Sequence, residues 1–123
     1  MKNQTTKNPK NNTISLDATD QPLGRLATKV SCLLMEKDKP SFRPHKEGEA
    51  VVEVQNIKNV KITGKKLTSK KYYHHSGYPG GLKEVPMEKI FKKNPEEVLR
   101  RAVYGMLPKN KLRDRRIKRL KFV

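Results

Sequence analysis

Residues 13–35 read Thr13-Ile14-Ser15-Leu16-Asp17-Ala18-Thr19-Asp20-Gln21-Pro22-Leu23-Gly24-Arg25-Leu26-Ala27-Thr28-Lys29-Val30-Ser31-Cys32-Leu33-Leu34-Met35, and two apolar periods meet in them. Ile14 and Leu16 stand two apart, the spacing of one face of a strand. Leu23, Leu26, Ala27, Val30 and Leu34 then recur at the spacing of one helical face, before Lys39-Pro40 closes the run. Between them Asp20-Gln21-Pro22 predicts a turn, with Asp20 placed to cap the helix and Pro22 in its first turn.

Working outward, Ser41 to Glu49 reads as a loop and Ala50 to Val54 as the next strand. Val60 to Thr63 predicts a second short strand ended by Gly64, and residues 65–83 a long basic loop with a Gly- and Pro-rich tip. Met87 to Lys93 predicts a short helix. Pro95 opens another, to about Met106, with Val98, Leu99, Ala102 and Val103 inward and Leu107-Pro108 as its stop. Lys109 to Arg119 is basic and irregular or a short helix, and Leu120 to Val123 a final strand. The order implies an α/β domain with a small, mostly parallel sheet and flanking helices. Met1 to Asn12, polar and rich in Asn and Lys, reads as a flexible tail. A single domain over 13–123 accounts for the rest of the 123 residues, without internal repeats.

Lys and Arg number 29 against 12 acidic residues, a formal charge of +17, and hydrophobic residues make up only 33%. A compact domain so charged repels itself, and a polyanion relieves the repulsion while releasing its own counterions. The excess is not uniform: residues 65–83 carry +5 with no acid and residues 100–123 carry +9, whereas residues 13–38 and 84–99 each carry −1. Solvated faces mix both signs, and these basic segments do not. Nucleic acid, above all structured RNA, is the expected partner. No apolar run approaches the ~20 residues of a membrane span, and residues 1–12 lack both the apolar stretch of a secretory signal and the Arg of a mitochondrial presequence. Cys32 has no second cysteine to pair with, which suits a cytoplasmic setting; the high Asn and Lys usage fits an AT-rich genome, an organelle-encoded copy included.

No enzymatic motif survives inspection. Gly64-Lys65 is half a P-loop, with Asn59 at the first Gly position and Lys66 in place of the magnesium-binding hydroxyl. Gly77, Gly80 and Gly81 do not make a dinucleotide fingerprint, and a nucleophile elbow around Ser76 needs Gly where His74 stands. In an extended segment His74 and His75 point to opposite faces, and His45 is distant, so neither a metal site nor a cofactor is expected. Asp17 and Asp20 suit turn roles better than a carboxylate pair. Cys32, mid-helix, reads as a packed thiol.

The informative constellation is residues 64–83. Lys65, Lys66, Lys70, Lys71 and Lys83 can neutralise phosphates; Tyr72 and Tyr78, with Tyr73, offer flat faces for stacking, at least one of them anchoring the loop. Gly80 and Gly81 permit close backbone approach, and His74 and His75 can meet phosphate or ribose. A second block supplies Lys109, Lys111, Arg113, Arg115, Arg116, Lys118 and Arg119, where guanidinium forks suit phosphate. Arg25 adds a cation at a helix start whose N–H groups can hold an anion.

Three segments resemble one family. Leu23-Gly24-Arg25-Leu26-Ala27-Thr28 looks like the first-helix start of bacterial large-subunit ribosomal protein thirteen. Tyr72-Tyr73-His74-His75-Ser76-Gly77-Tyr78-Pro79-Gly80-Gly81-Leu82-Lys83 is similar to its hallmark loop, where Thr is usual at the Ser76 position. Ala102-Val103-Tyr104-Gly105-Met106-Leu107-Pro108-Lys109-Asn110 is similar to its other hallmark. The resemblance implies an α/β fold, binding to large-subunit ribosomal RNA, an early role in subunit assembly, and neighbouring ribosomal proteins as partners, with no small-molecule substrate. The chain departs from the pattern at Arg113-Asp114, where Gly followed by Arg is usual, and at Thr13-Ile14-Ser15, where the first strand commonly has an aromatic residue. It ends at Val123, earlier than many relatives, so contacts of a longer tail do not carry over. A DNA-compacting protein would share the charge but not these segments, and an RNA-processing enzyme would need a catalytic constellation.

Overall fold

The structure, a computed structural model, describes residues 5–8, 13–40, 43–46 and 48–123. Its main sheet has four strands: β1 (Thr5–Asn8), β2 (Thr13–Asp17), β3 (Val51–Gln55) and β6 (Leu120–Phe122), side by side in that order. β2–β3 and β3–β6 are parallel, and β1 lies antiparallel on β2, so the sheet is mostly parallel as the strand–helix–strand reading requires. The flexible tail expected over residues 1–12 lies outside the described residues except at Thr5–Asn8, which is an edge strand.

Register explains the core. Ile14 stands opposite Val52 and Val52 opposite Leu120, while Leu16 pairs with Val54 and Val54 with Phe122. These rows share one face, where Ile14, Leu16, Val52, Val54 and Leu120 are all buried. Helix α1 (Leu23–Met35) and helix α4 (Pro95–Met106) cover that face, contributing Leu26, Ala27, Val30, Leu34, Leu99 and Val103 to the cluster. The opposite row sets Glu53 between Ser15 and Lys121.

Two expectations at the α1 start change. Asp20 does not cap the helix. It sits in a turn at φ 56°, Pro22 occupies the cap position, and no side chain caps the first turn. The role falls to backbone: the Leu23 N–H donates to the Lys61 carbonyl at 3.0 Å and the Lys61 N–H to the Gln21 carbonyl at 2.9 Å. That pairing also absorbs residues 60–63, which form no strand but a single bridge, Pro22 to Lys61, after a 3-10 turn at Ile57–Asn59. Asp17 takes the turn role expected of it: its Oδ1 accepts from the Thr19 N–H (3.0 Å), the Thr19 hydroxyl (2.7 Å) and the Asn56 amide (3.2 Å). These hydrogen bonds, led by the Thr19 backbone, hold its carboxyl below the ordinary value.

The larger correction concerns residues 65–83. They are not a loop. Helix α2 (Lys66–Ser69) leads into a hairpin, β4 (Lys71–His75) antiparallel to β5 (Leu82–Pro86), and α3 (Met87–Lys93) follows directly. Helix α5 (Leu112–Ile117) precedes β6.

Candidate nucleic-acid interface

The hairpin is a cationic arm. At its tip the Gly81 N–H donates to the Tyr78 carbonyl at 2.9 Å, with Pro79 and Gly80 between them and Gly80 at φ +72°, the arrangement of a type II turn. Gly81 has no room for a side chain, since a Cβ there would stand 2.9 Å from the Tyr78 carbonyl oxygen and 1.9 Å from the Ser76 hydroxyl. The Gly77 N–H donates to His75 Nδ1 at 2.9 Å, which turns that ring back on the tip. Because β4 is extended, His74 and His75 do face opposite ways, and no cluster of three metal-ligating side chains exists among the described residues.

Tyr73 and Tyr78 project, 63% and 75% exposed, and Lys65, Lys70, Lys71, His74, Gly80 and Lys83 are exposed with them. The side chain of Lys66 lies outside the described residues. Lys71 approaches Glu84 across the hairpin at 3.5 Å, and both are well exposed, so the pair is weak. Among the described residues Lys65, Lys70 and Lys83 meet no carboxylate. Tyr72 is the anchor: half-buried, it lies under the Arg101 guanidinium at 4.7 Å and the Lys70 ammonium at 5.7 Å. Burial raises its phenol above the ordinary value, with the Arg101 charge opposing. Met87, buried at the base, and its N–H on the Lys70 carbonyl (2.9 Å) fix the root of the arm.

The second basic block divides into two kinds of residue. Lys109, Lys111, Arg115 and Lys118 are exposed. Arg116 is not: it is 1% exposed, and its guanidinium donates to the carbonyls of Pro44 (3.3 Å) and Lys46 (2.9 Å). Arg119 donates to the Ala50 carbonyl at 2.7 Å and to the Leu34 carbonyl, in the last turn of α1, at 2.8 Å. Both guanidiniums clamp backbone carbonyls, so Arg116, expected among the phosphate contacts, is buried here, and Arg119, expected there too, is half-buried. The signal was present: Arg116 stands four residues after Leu112 in the same helix, one turn on and on the same face. Arg113 is half-buried, its guanidinium 3.6 Å from the Tyr104 ring centre and its Nε donating to the Tyr104 carbonyl at 2.9 Å.

Helix α4 joins the two groups, a role that the basic runs alone did not reveal. Its outer face carries Glu97, Arg100, Arg101 and Tyr104, one and two turns apart. Glu97 holds Arg101 at 3.0 Å and Arg100 at 3.5 Å. Arg101 meets the arm through Tyr72, and Tyr104 meets the C-terminal block through Arg113. Arg25, in the first turn of α1, is exposed; its neighbour Gly24 lines a cleft of about 330 Å³ with Lys70 and Arg101. Helix α4 thus touches the arm through Arg101 and the C-terminal block through Tyr104.

A small, mostly parallel sheet under two helices and a projecting cationic arm define a basic α/β protein. Comparison with known proteins makes this specific. Residues 11–123 match the model of the family described as ribosomal protein L13, and the chain belongs to that family. It is similar to large ribosomal subunit protein uL13 of Nitratidesulfovibrio vulgaris strain Hildenborough, 50% identical over 106 residues, covering 86% of this chain and 74% of the relative. The same-named protein of Natranaerobius thermophilus is 49% identical over 107 residues (87% and 75%), and that of Clostridioides difficile 49% over 106 (86% and 74%). The chain is accordingly a structural ribosomal constituent of the large subunit, involved in translation, and not an enzyme. No helix among the described residues is long and apolar enough to cross a membrane.

Proposed function

We propose that the protein binds large-subunit ribosomal RNA in the cytoplasmic ribosome, early in subunit assembly, with the β4–β5 arm, the outer face of α4 and the exposed cations of residues 109–118 as its contact surface, beside neighbouring ribosomal proteins. The observation that carries this reading is the arm itself. It sets exposed His74 and Lys83 opposite one another on one face and exposed Tyr73 on the other, with Tyr78 at the tip, Lys70 at the root and Glu84 its one carboxylate. Cations neutralise phosphates and phenol rings stack on unpaired bases, the pairing of chemistries that single-stranded and looped RNA requires.

The test is binding to protein-free large-subunit RNA across a salt series, with sedimentation of the tagged protein from growing cells. Contacts to ~6–10 phosphates weaken binding by ~10³–10⁵ between ~50 and ~200 mM salt. A flat salt response, or sedimentation with chromosomal DNA instead of the large subunit, refutes the proposal. Reconstitution with the protein added late tests the early role, which predicts stalled particles.

A further inference from the structure

A groove of about 440 Å³ lies between the arm and the C-terminal block, lined by Tyr72, Tyr104, Gly105 and Ile117, by Arg100 and Arg101, and by Glu97, whose carboxylate both arginines neutralise. Tyr104 is held rigidly. The Arg113 guanidinium covers it at 3.6 Å, the phenol donates to Asp114 Oδ1 at 3.1 Å, and the residue remains 37% exposed. Arg113 and Asp114 both act on the one ring. Tyr72 is fixed likewise by Arg101, itself held by Glu97. Gly105 leaves open space where a side chain would stand.

We propose that this slot receives a single unpaired nucleobase of the bound RNA. The inference rests on the ribosomal-RNA reading and deepens it. Two aromatic residues around an apolar gap match a flat heterocycle, and Arg100 and Arg101, with Lys70 close by, match the phosphates on either side of it. An aliphatic side chain from a protein neighbour would fill the gap but make no use of those charges. Rings locked before binding lose little entropy when the base enters.

The experiment uses the full chain and its own large-subunit RNA extracted free of protein. Ultraviolet crosslinking followed by mass spectrometry should join a nucleotide to Tyr104 or Tyr72 in the wild type. Gly105→Leu fills the slot, and the helix tolerates it because a Cβ there meets nothing within 4 Å; Tyr104→Ala removes a wall. Each should weaken RNA binding roughly 10- to 100-fold with an unchanged salt slope, because the lost interaction carries no charge. Wild-type affinity in Gly105→Leu, with no crosslink to either tyrosine, overturns the slot and leaves RNA binding intact. Normal affinity for free RNA but failed incorporation into the subunit assigns the slot to a protein neighbour, which also overturns it. Absence of RNA binding by the wild type overturns the underlying reading, and the slot with it.

Discussion

At the scale of single residues, the junction between the end of α1 and the start of β3 shows how charged groups stabilise this fold from within. Glu36, at φ 59°, ends α1, and its Oε1 accepts the N–H groups of Glu49 and Ala50, both at 3.2 Å, and the Lys39 ammonium at 2.9 Å. Arg119 takes the Ala50 carbonyl from the other side, so both backbone groups of one residue are clamped. Burial pushes the Glu36 carboxyl up, but Lys39 and the two N–H groups outweigh it and hold it below its ordinary value of 4.5. A depressed carboxyl stabilises the fold above the unfolded value and ceases to do so as pH falls through the folded one. Glu36→Gln should therefore lower the melting temperature at pH 7, and the gap to wild type should close below about pH 4.5. A gap independent of pH would contradict the ionised role. Arg116→Met should lower the unfolding free energy in urea by about 1–3 kcal/mol, the cost of orphaning carbonyls, and leave the salt slope of RNA binding unchanged. A smaller slope at full stability would return Arg116 to phosphate.

At the scale of elements, the β4–β5 arm hangs on few contacts: Met87, the Lys70–Met87 backbone bond and Tyr72 under Arg101. Tyr72→Ala should speed amide exchange in the hairpin by roughly 5- to 10-fold, the worth of one cation–π contact, while α1 and α4 exchange as before. Uniform acceleration would show that the arm is no separate unit. Here lies the limit of what the chain reveals unaided. The helices α1 and α4 were legible because apolar residues repeat at 3.6 in Leu26, Val30 and Leu34 and in Val98, Leu99 and Val103, and burial follows that period. The arm was not, because a hairpin that half-buries only Tyr72 and Val85 carries no apolar alternation; only the Tyr78-Pro79-Gly80 turn and the β-favouring Tyr72-Tyr73 pair marked it. The segment after Val60 failed for the reverse reason. It has apolar residues in a strand-like run, yet its backbone groups serve the entry to α1.

At the scale of the whole molecule, charge divides by use. The arm, the outer face of α4 and the lysines of the C-terminal block face outward, while Arg116 and Arg119 serve the interior, so a count of +17 overstates what a ligand meets. Replacing Lys70 and Lys71 together by Ala should reduce the salt slope of binding by about two, one for each phosphate contact, whereas Lys29→Ala and Lys89→Ala should leave it unaltered. Equal effects would misplace the contact surface. The site was legible in its parts but not in its assembly, because no spacing in the chain announces that Tyr72 lies against Arg101 or Arg113 against Tyr104. The strand order has a last consequence, in time. β3 is flanked by β2, made before it, and by β6, made 65 residues later, counting from Gln55 to Leu120. At about 5–20 residues per second this interval lasts ~3–13 s. For that long the nascent chain displays Val52 and Val54 along an unpaired edge, and only the arrival of Arg119 and Leu120 closes it. This ribosomal polypeptide is thus, while it emerges from a ribosome, a sheet awaiting its final strand.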